Sequence, residues 1–214
     1  MTDRPIIFSA PMVQALLAGR KTQTRRILKP QPVQNSAGLW VWPPDWTKSV
    51  KRYSVGVQTD GAGLVQSLMD DPARRIGYAT GDRLWVRESC HLPRPGVPHT
   101  LFRADHVDAS SVKWRPSIHM PRWASRLTLT VTDVRVEPLL QISQEDAVAE
   151  GVEMSGTGST PWKCYTSNGS YNLPQWSFYS LWNSINGPDA AMVNPWVVVI
   201  SFDVIRANIG KVEP

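Results

Sequence analysis

Leu16-Leu17-Ala18-Gly19-Arg20-Lys21-Thr22-Gln23-Thr24-Arg25-Arg26 changes periodicity at its middle. Upstream, Met12, Val13, Leu16 and Leu17 recur at helical spacing behind Pro11, a residue tolerated in a first helical turn. Gly19 then caps the run, because glycine enters the left-handed region without a Cβ penalty. Downstream, Thr22 and Thr24 lead into Ile27-Leu28, and β-branched residues favour a strand. A short helix with one buried face is therefore expected to turn into a strand. On a regular strand Thr22, Thr24 and Arg26 share one face, and Gln23 and Arg25 the other. Lys21 meets Thr24 only if it sits in the turn, sits at a bulge or curls over. Arg20, Lys21, Arg25 and Arg26 make this the densest cationic segment of the chain. A solvated edge strand carries the same signature, since lysines discourage edge-to-edge pairing.

Working outward, Ile6-Ile7-Phe8 reads as a strand before the helix. After the motif, Pro30, Pro32, Pro43 and Pro44 break regular structure. Residues 30–78 are expected to form an irregular insertion, with a hairpin around Tyr53 to Val65 turning at Asp60-Gly61. Gly81-Asp82 marks a turn into a strand from Arg83 to Glu88, with Leu84 and Val86 on one face. Thr100 to Arg103 reads as another strand. Arg126 to Val136 alternates Leu127, Leu129 and Val131 against Thr128, Thr130 and Thr132. Ser143-Gln144-Glu145-Asp146 fits a helix start that ends at Gly151, with Glu145 and Asp146 favourable to the helix dipole. Residues 154–172 read as a loop. Trp176, Phe178, Tyr179, Leu181, Trp182 and Ile185 form a helical stripe that Asn186-Gly187-Pro188 stops. Pro195 to Ile205 has the continuous valine-rich pattern of a strand buried on both faces.

This order predicts an α+β domain, a mostly antiparallel sheet or small β-barrel with a few short helices. A single domain is expected over 1–214, with barrel elements at about 5–29, 80–152 and 173–206. The stretches at about 30–78 and 154–172 are insertions. With 42% hydrophobic residues the chain can bury a sizeable core, and a formal net charge of +5 suits a partner bearing phosphates. The cysteines, Cys90 and Cys164, are too few and too far apart for a structural zinc site; the expected chemistry uses neither a metal nor an organic cofactor. No apolar run is long enough to span a membrane and no signal-peptide pattern opens the chain, which predicts a cytoplasmic location. Of the ten tryptophans, most are expected in the core and one or two as stacking platforms for bases.

The pattern Gly19-x-Lys21-x-x-Thr24-x-Arg26 behind a short helix resembles the signature of the ASCH family, the activating-signal-cointegrator homology domains. Gly81-Asp82-Arg83-Leu84-Trp85-Val86 resembles the Gly-Asp-x-Leu turn and strand that follows in that family. The strand at 126–136, the Ser143 helix and the final strand at 195–205 extend the resemblance, which is closest to ASCH proteins of phages and prophages. It implies a PUA-like β-barrel with a polar cleft for a nucleoside or RNA. One branch consists of small amidohydrolases that deacetylate N(4)-acetylcytidine. Its Lys, Thr and Glu map onto Lys21, Thr24 and Glu150, and Thr24 favours this branch because other members have Glu there. The branch is about half as long as this chain.

Amide hydrolysis needs a nucleophile, a base and a donor for the oxyanion. Thr24 can attack while Lys21 takes its proton, provided burial or a neighbouring arginine lowers the lysine pKa. Glu150 then orients Lys21 or protonates the leaving amine. Water attack with Glu150 as base is the alternative. Arg20 and Arg25 are candidate substrate or nucleic-acid contacts. Arg26 is another, or is structural and pairs with a carboxylate such as Glu88. His119, Arg122 and Trp123 either line the cleft and stack a base or belong to a packed loop. Adjacent residues Cys90 and His91 face opposite sides of a strand, which disfavours a thiol nucleophile. RNA binding without chemistry, ribonuclease activity and a phage assembly role are the competing functions.

Overall fold

The computed structural model describes residues 2–36, 38, 40–41, 76–95, 99–106, 112–155 and 158–212. In chain order the first elements are β1 (Asp3–Ile7), α1 (Ala10–Leu17) and β2 (Gln23–Ile27). A small hairpin follows, β3 (Val33–Gln34) with β4 (Trp40–Val41), then β5 (Arg83–Arg87), β6 (Cys90–His91) and β7 (Leu101–Phe102). The long strand β8 (Thr128–Pro138) leads to α2 (Gln144–Ala149), β9 (Trp162–Lys163), β10 (Ser170–Tyr171), α3 (Pro174–Asn186) and β11 (Trp196–Ile205). Among the described residues no helix is long and apolar enough to cross a membrane. The hairpin expected at Tyr53 to Val65 lies outside the described residues.

Five strands form one sheet in the order β1-β5-β8-β11-β2. Only β1 with β5 is parallel; the other three pairings are antiparallel. The architecture is α+β with a mostly antiparallel sheet, as expected, but the described strands do not close into the small β-barrel that was also expected. The edges β1 and β2 share no ladder; instead an Arg26 guanidinium nitrogen donates to the Ile7 carbonyl at 2.7 Å. A cavity of about 430 Å³ lies against these edges, lined among others by Pro5, Ile7, Arg26, Lys29 and Tyr78.

β11 divides two cores. Val198 and Ile200 pack with Phe8, Leu16, Leu84 and Leu129 on one side. Val197 and Val199 pack with Ile142, Phe178, Leu181 and Trp182 on the other. This is why its apolar run is unbroken. β8 does not alternate uniformly. Its register against β11 shifts between Ser201 and Phe202, leaving Thr132 unpaired. Leu129 and Val131 are buried before that bulge, and Val134 and Val136 after it. One extra residue thus resets the pleat so that both halves feed the core.

Two other expectations are corrected. The 154–172 segment carries the β9–β10 hairpin, held to α3 by Ser177 Oγ donating to the Lys163 carbonyl at 2.6 Å. On α3 the buried face is Phe178, Leu181 and Trp182 with the small Ser177; Trp176 is 47% and Ile185 65% exposed. Trp176 projects opposite that face, as helical geometry requires of a residue two positions before Phe178. Gly187 (φ 105°) follows the helix, in a region that disfavours side chains.

Candidate functional site

The first helix ends as expected, with Gly19 at φ 70°. The amides of Arg20 and Lys21 both donate to the Ala15 carbonyl, at 2.9 and 3.2 Å. Lys21 therefore sits in the turn, one of the placements that lets it escape strand alternation. The residue is only 1% exposed. Lys21 Nζ donates to the Glu150 backbone carbonyl at 2.7 Å and to Glu150 Oε2 at 2.8 Å. Glu150 ends α2, whose first turn is capped by Ser143 Oγ accepting from the Asp146 amide at 3.0 Å. The Thr22 amide donates to the Ala149 carbonyl at 2.9 Å, so backbone and side chain both join this turn to the end of α2.

Gly151 makes the close approach possible. Its φ is +89°, and a Cβ there would stand 3.0 Å from Lys21 Cβ and 3.2 Å from Ala15 Cβ. Gly151→Ala is expected to destabilise the protein by about 1–3 kcal/mol and to displace Lys21. Urea unfolding and a two-dimensional amide spectrum check this; an unchanged midpoint would mean the turn relaxes freely.

Arg25 leaves the opposite face of β2, and its side chain is fully buried. Its guanidinium donates to Gln23 Oε1 at 2.6 Å, Glu137 Oε1 at 2.7 Å, Asp146 Oδ2 at 2.8 Å and Glu150 Oε1 at 3.3 Å. Burial works against this cation, yet Glu150, Glu137 and Asp146 hold its pKa above the ordinary value. Burial pushes the Asp146 carboxyl upward, but Arg25 and Gln23, with Arg135, hold it below the usual range. For Lys21 the balance runs the other way. Burial pulls its pKa down, and Glu150 offsets only part of that.

An open cleft of about 460 Å³ brings Lys21, Thr24, Arg25, Arg26 and Glu150 together. Phe8, Phe178 and Trp182 supply aromatic walls. Thr24 is 4% exposed and pairs across the ladder with Ile200. Its hydroxyl makes no hydrogen bond to another described residue. Arg26 lies over Phe8, 5.1 Å from the ring centroid.

The other sequence candidates lie elsewhere. Arg26 does not pair with Glu88, which follows β5, three places from β2 in the sheet. Glu88 is held by Arg126 at 2.9 and 3.0 Å. Arg20 bonds the Gly151 carbonyl at 3.1 Å and faces Glu153, outside the cleft. Arg122 pairs with Asp3 at the start of β1, whereas Ile7, at its end, lines the cleft. His119 and the 62%-exposed Trp123 also stand away from the cleft lining. Cys90 and His91 are both buried, and burial raises the Cys90 thiol. Among the described residues no group of three or more His, Cys, Asp or Glu is placed to hold a metal ion.

Sequence reasoning missed Asp146 and Glu137 as partners of Arg25. Asp146 looked sufficient as a helix-dipole charge, and Glu137 sits in a strand with no local motif. No protein-family model, curated protein or solved structure matches this chain.

Proposed function

We propose that this cleft hydrolyses the acyl amide of an acylated nucleoside such as N(4)-acetylcytidine, in an ASCH-type, PUA-like protein of the cytoplasm. The observation that carries the reading is the dry Lys21 amine, clamped by Glu150 and opening on the same cleft as the unengaged Thr24 hydroxyl. In this mechanism Thr24 Oγ attacks the acyl carbon and its proton passes to Lys21 Nζ. A neutral amine is needed at that moment, so the ammonium paired with Glu150 must first give up its proton, a loss that burial favours. The ammonium that forms is stabilised by Glu150. It returns the proton to the leaving nitrogen as the C–N bond breaks. Water then cleaves the threonine ester, its proton again passing through Lys21, and releases the carboxylic acid. The aromatic walls suit a planar base.

The test is release of cytidine and acetate from N(4)-acetylcytidine by the purified protein. Thr24→Val preserves the β-branched shape, so it is expected to keep the fold and to lose at least about a hundredfold in kcat. Retention of full activity in Thr24→Val would transfer the attack to water. RNA binding without chemistry is the second reading, favoured by a cleft lined by Lys21, Arg25, Arg26 and Lys29 against the single carboxylate Glu150. It is supported instead if no product forms while RNA binds with a steep salt dependence.

A further inference from the structure

The cations lining the cleft divide into two kinds. Lys21 is answered by Glu150, and Arg25 by Glu137, Asp146 and Glu150. Arg26 and Lys29 have no ion pair to a described carboxylate. Arg26 is half-buried, and the hydrogen bond its guanidinium makes among the described residues goes to the Ile7 carbonyl. Lys29 is exposed. Both residues, with Ile7 and Ile27, line the cleft and also the neighbouring cavity between the sheet edges. They therefore stand on the ridge where the two hollows meet, at the mouth of the cleft floored by Lys21 and Thr24.

A cation partly withdrawn from water without a counter-ion is where an incoming anion gains most, because the desolvation has already been incurred. A guanidinium with N–H groups to spare and an ammonium lining the same two hollows suit a phosphate, which accepts several charge-assisted hydrogen bonds.

We propose that Arg26 and Lys29 form a phosphate subsite, so that the cleft takes a phosphorylated nucleoside in preference to a free one. The base lies between the aromatic walls and the phosphate sits on the ridge. The assignment of the cleft floor rests on the hydrolase reading, but the subsite is tested without turnover. The phosphate has two sources, a nucleoside monophosphate or a nucleoside within a chain.

Calorimetric titration of the full chain with cytidine, cytidine 5′-monophosphate and a short cytidine oligonucleotide tests the proposal. The monophosphate is expected to bind about tenfold more tightly than cytidine. That preference should shrink as salt is raised and disappear in Lys29→Gln, an exposed position where folding is not at risk. Arg26→Lys is the second variant, keeping the charge and losing the fork; it should weaken the preference. Tighter binding of the oligonucleotide than of the monophosphate assigns the phosphate to a chain, and equal binding assigns it to a free nucleotide. Equal affinity for cytidine and its monophosphate, binding of neither, or a preference untouched by Lys29→Gln overturns the subsite. The two readings fail separately. Preference for the monophosphate with no amide cleavage keeps the subsite and removes the hydrolase. Cleavage of acetylated nucleoside and acetylated nucleotide at equal kcat/KM, without a binding preference, does the reverse.

Discussion

Lys21→Met is expected to abolish acyl release and to lower the free energy of unfolding by about 3–5 kcal/mol, the usual cost of removing one partner of a buried ion pair. The lysine is 1% exposed and Glu150 4%, so the carboxylate left behind stays largely buried without its main partner. Arg25, at 3.3 Å from the other carboxylate oxygen, compensates only in part. The Glu150 backbone carbonyl also loses its donor. Adding Glu150→Leu removes the stranded charge. The double variant is therefore expected to recover part of the stability and none of the activity, since apolar replacement of a whole buried pair is often tolerated. Chemical denaturation measures the first quantity and product release the second. Activity surviving in a folded Lys21→Met protein would remove the lysine from the mechanism.

Arg25→Leu should cost at least as much, because it gathers Glu137, Asp146 and Glu150 around a site whose central cation is gone. A loss of about 3–5 kcal/mol at pH 7 follows from the same principle. The pH dependence identifies the cause. In the parent protein the Asp146 pKa lies below its ordinary value, so its contribution is complete above that value and fades as pH falls through the folded pKa. In the variant Asp146 loses the guanidinium that holds its carboxyl down and gains a proton more readily than in the parent, so the variant loses less stability as the pH drops. The stability gap between the two proteins should therefore narrow from pH 7 towards pH 4, measured by urea unfolding at each. A gap independent of pH would mean that Arg25 matters through its packing near Phe178, 5.8 Å from the ring centroid, and not through its charge.

Arg25 and Arg26 show how far local reading reaches. Strand alternation places Gln23 and Arg25 on one face, and they do hydrogen-bond at 2.6 Å. It cannot say what lies beyond that face. Glu137 and Asp146 are more than a hundred residues away in the chain and arrive only because α2 packs against β2 and β8 lies one strand further on, across β11. For Arg26 the sequence offered Glu88 as a carboxylate of suitable type. The sheet order interposes β8 and β11 between β5 and β2, so the guanidinium finds the Ile7 carbonyl on the opposite edge instead. Arg122 and Trp123 looked fit for a cleft by composition, yet Arg122 is tied to the beginning of β1 rather than its end.

Local chemistry by itself determined the helix–turn–strand unit around Gly19, the turn at Gly81, the capped α2 and the doubly buried β11. In each case periodicity, a capping residue or a glycine acts over fewer than a dozen positions. Tertiary structure alone decided that the described strands form an open sheet, that Thr132 is bulged out, and that Lys21 reaches Glu150. The physical reason is that strand pairing and burial are non-local. Which edge a strand meets, and whether a lysine in a turn is solvated or sealed beneath a glycine, depends on chain that returns after a long excursion. Lys21 is written in the sequence as one cation among four; only the packing of α2 against its turn makes it a dry amine facing a carboxylate.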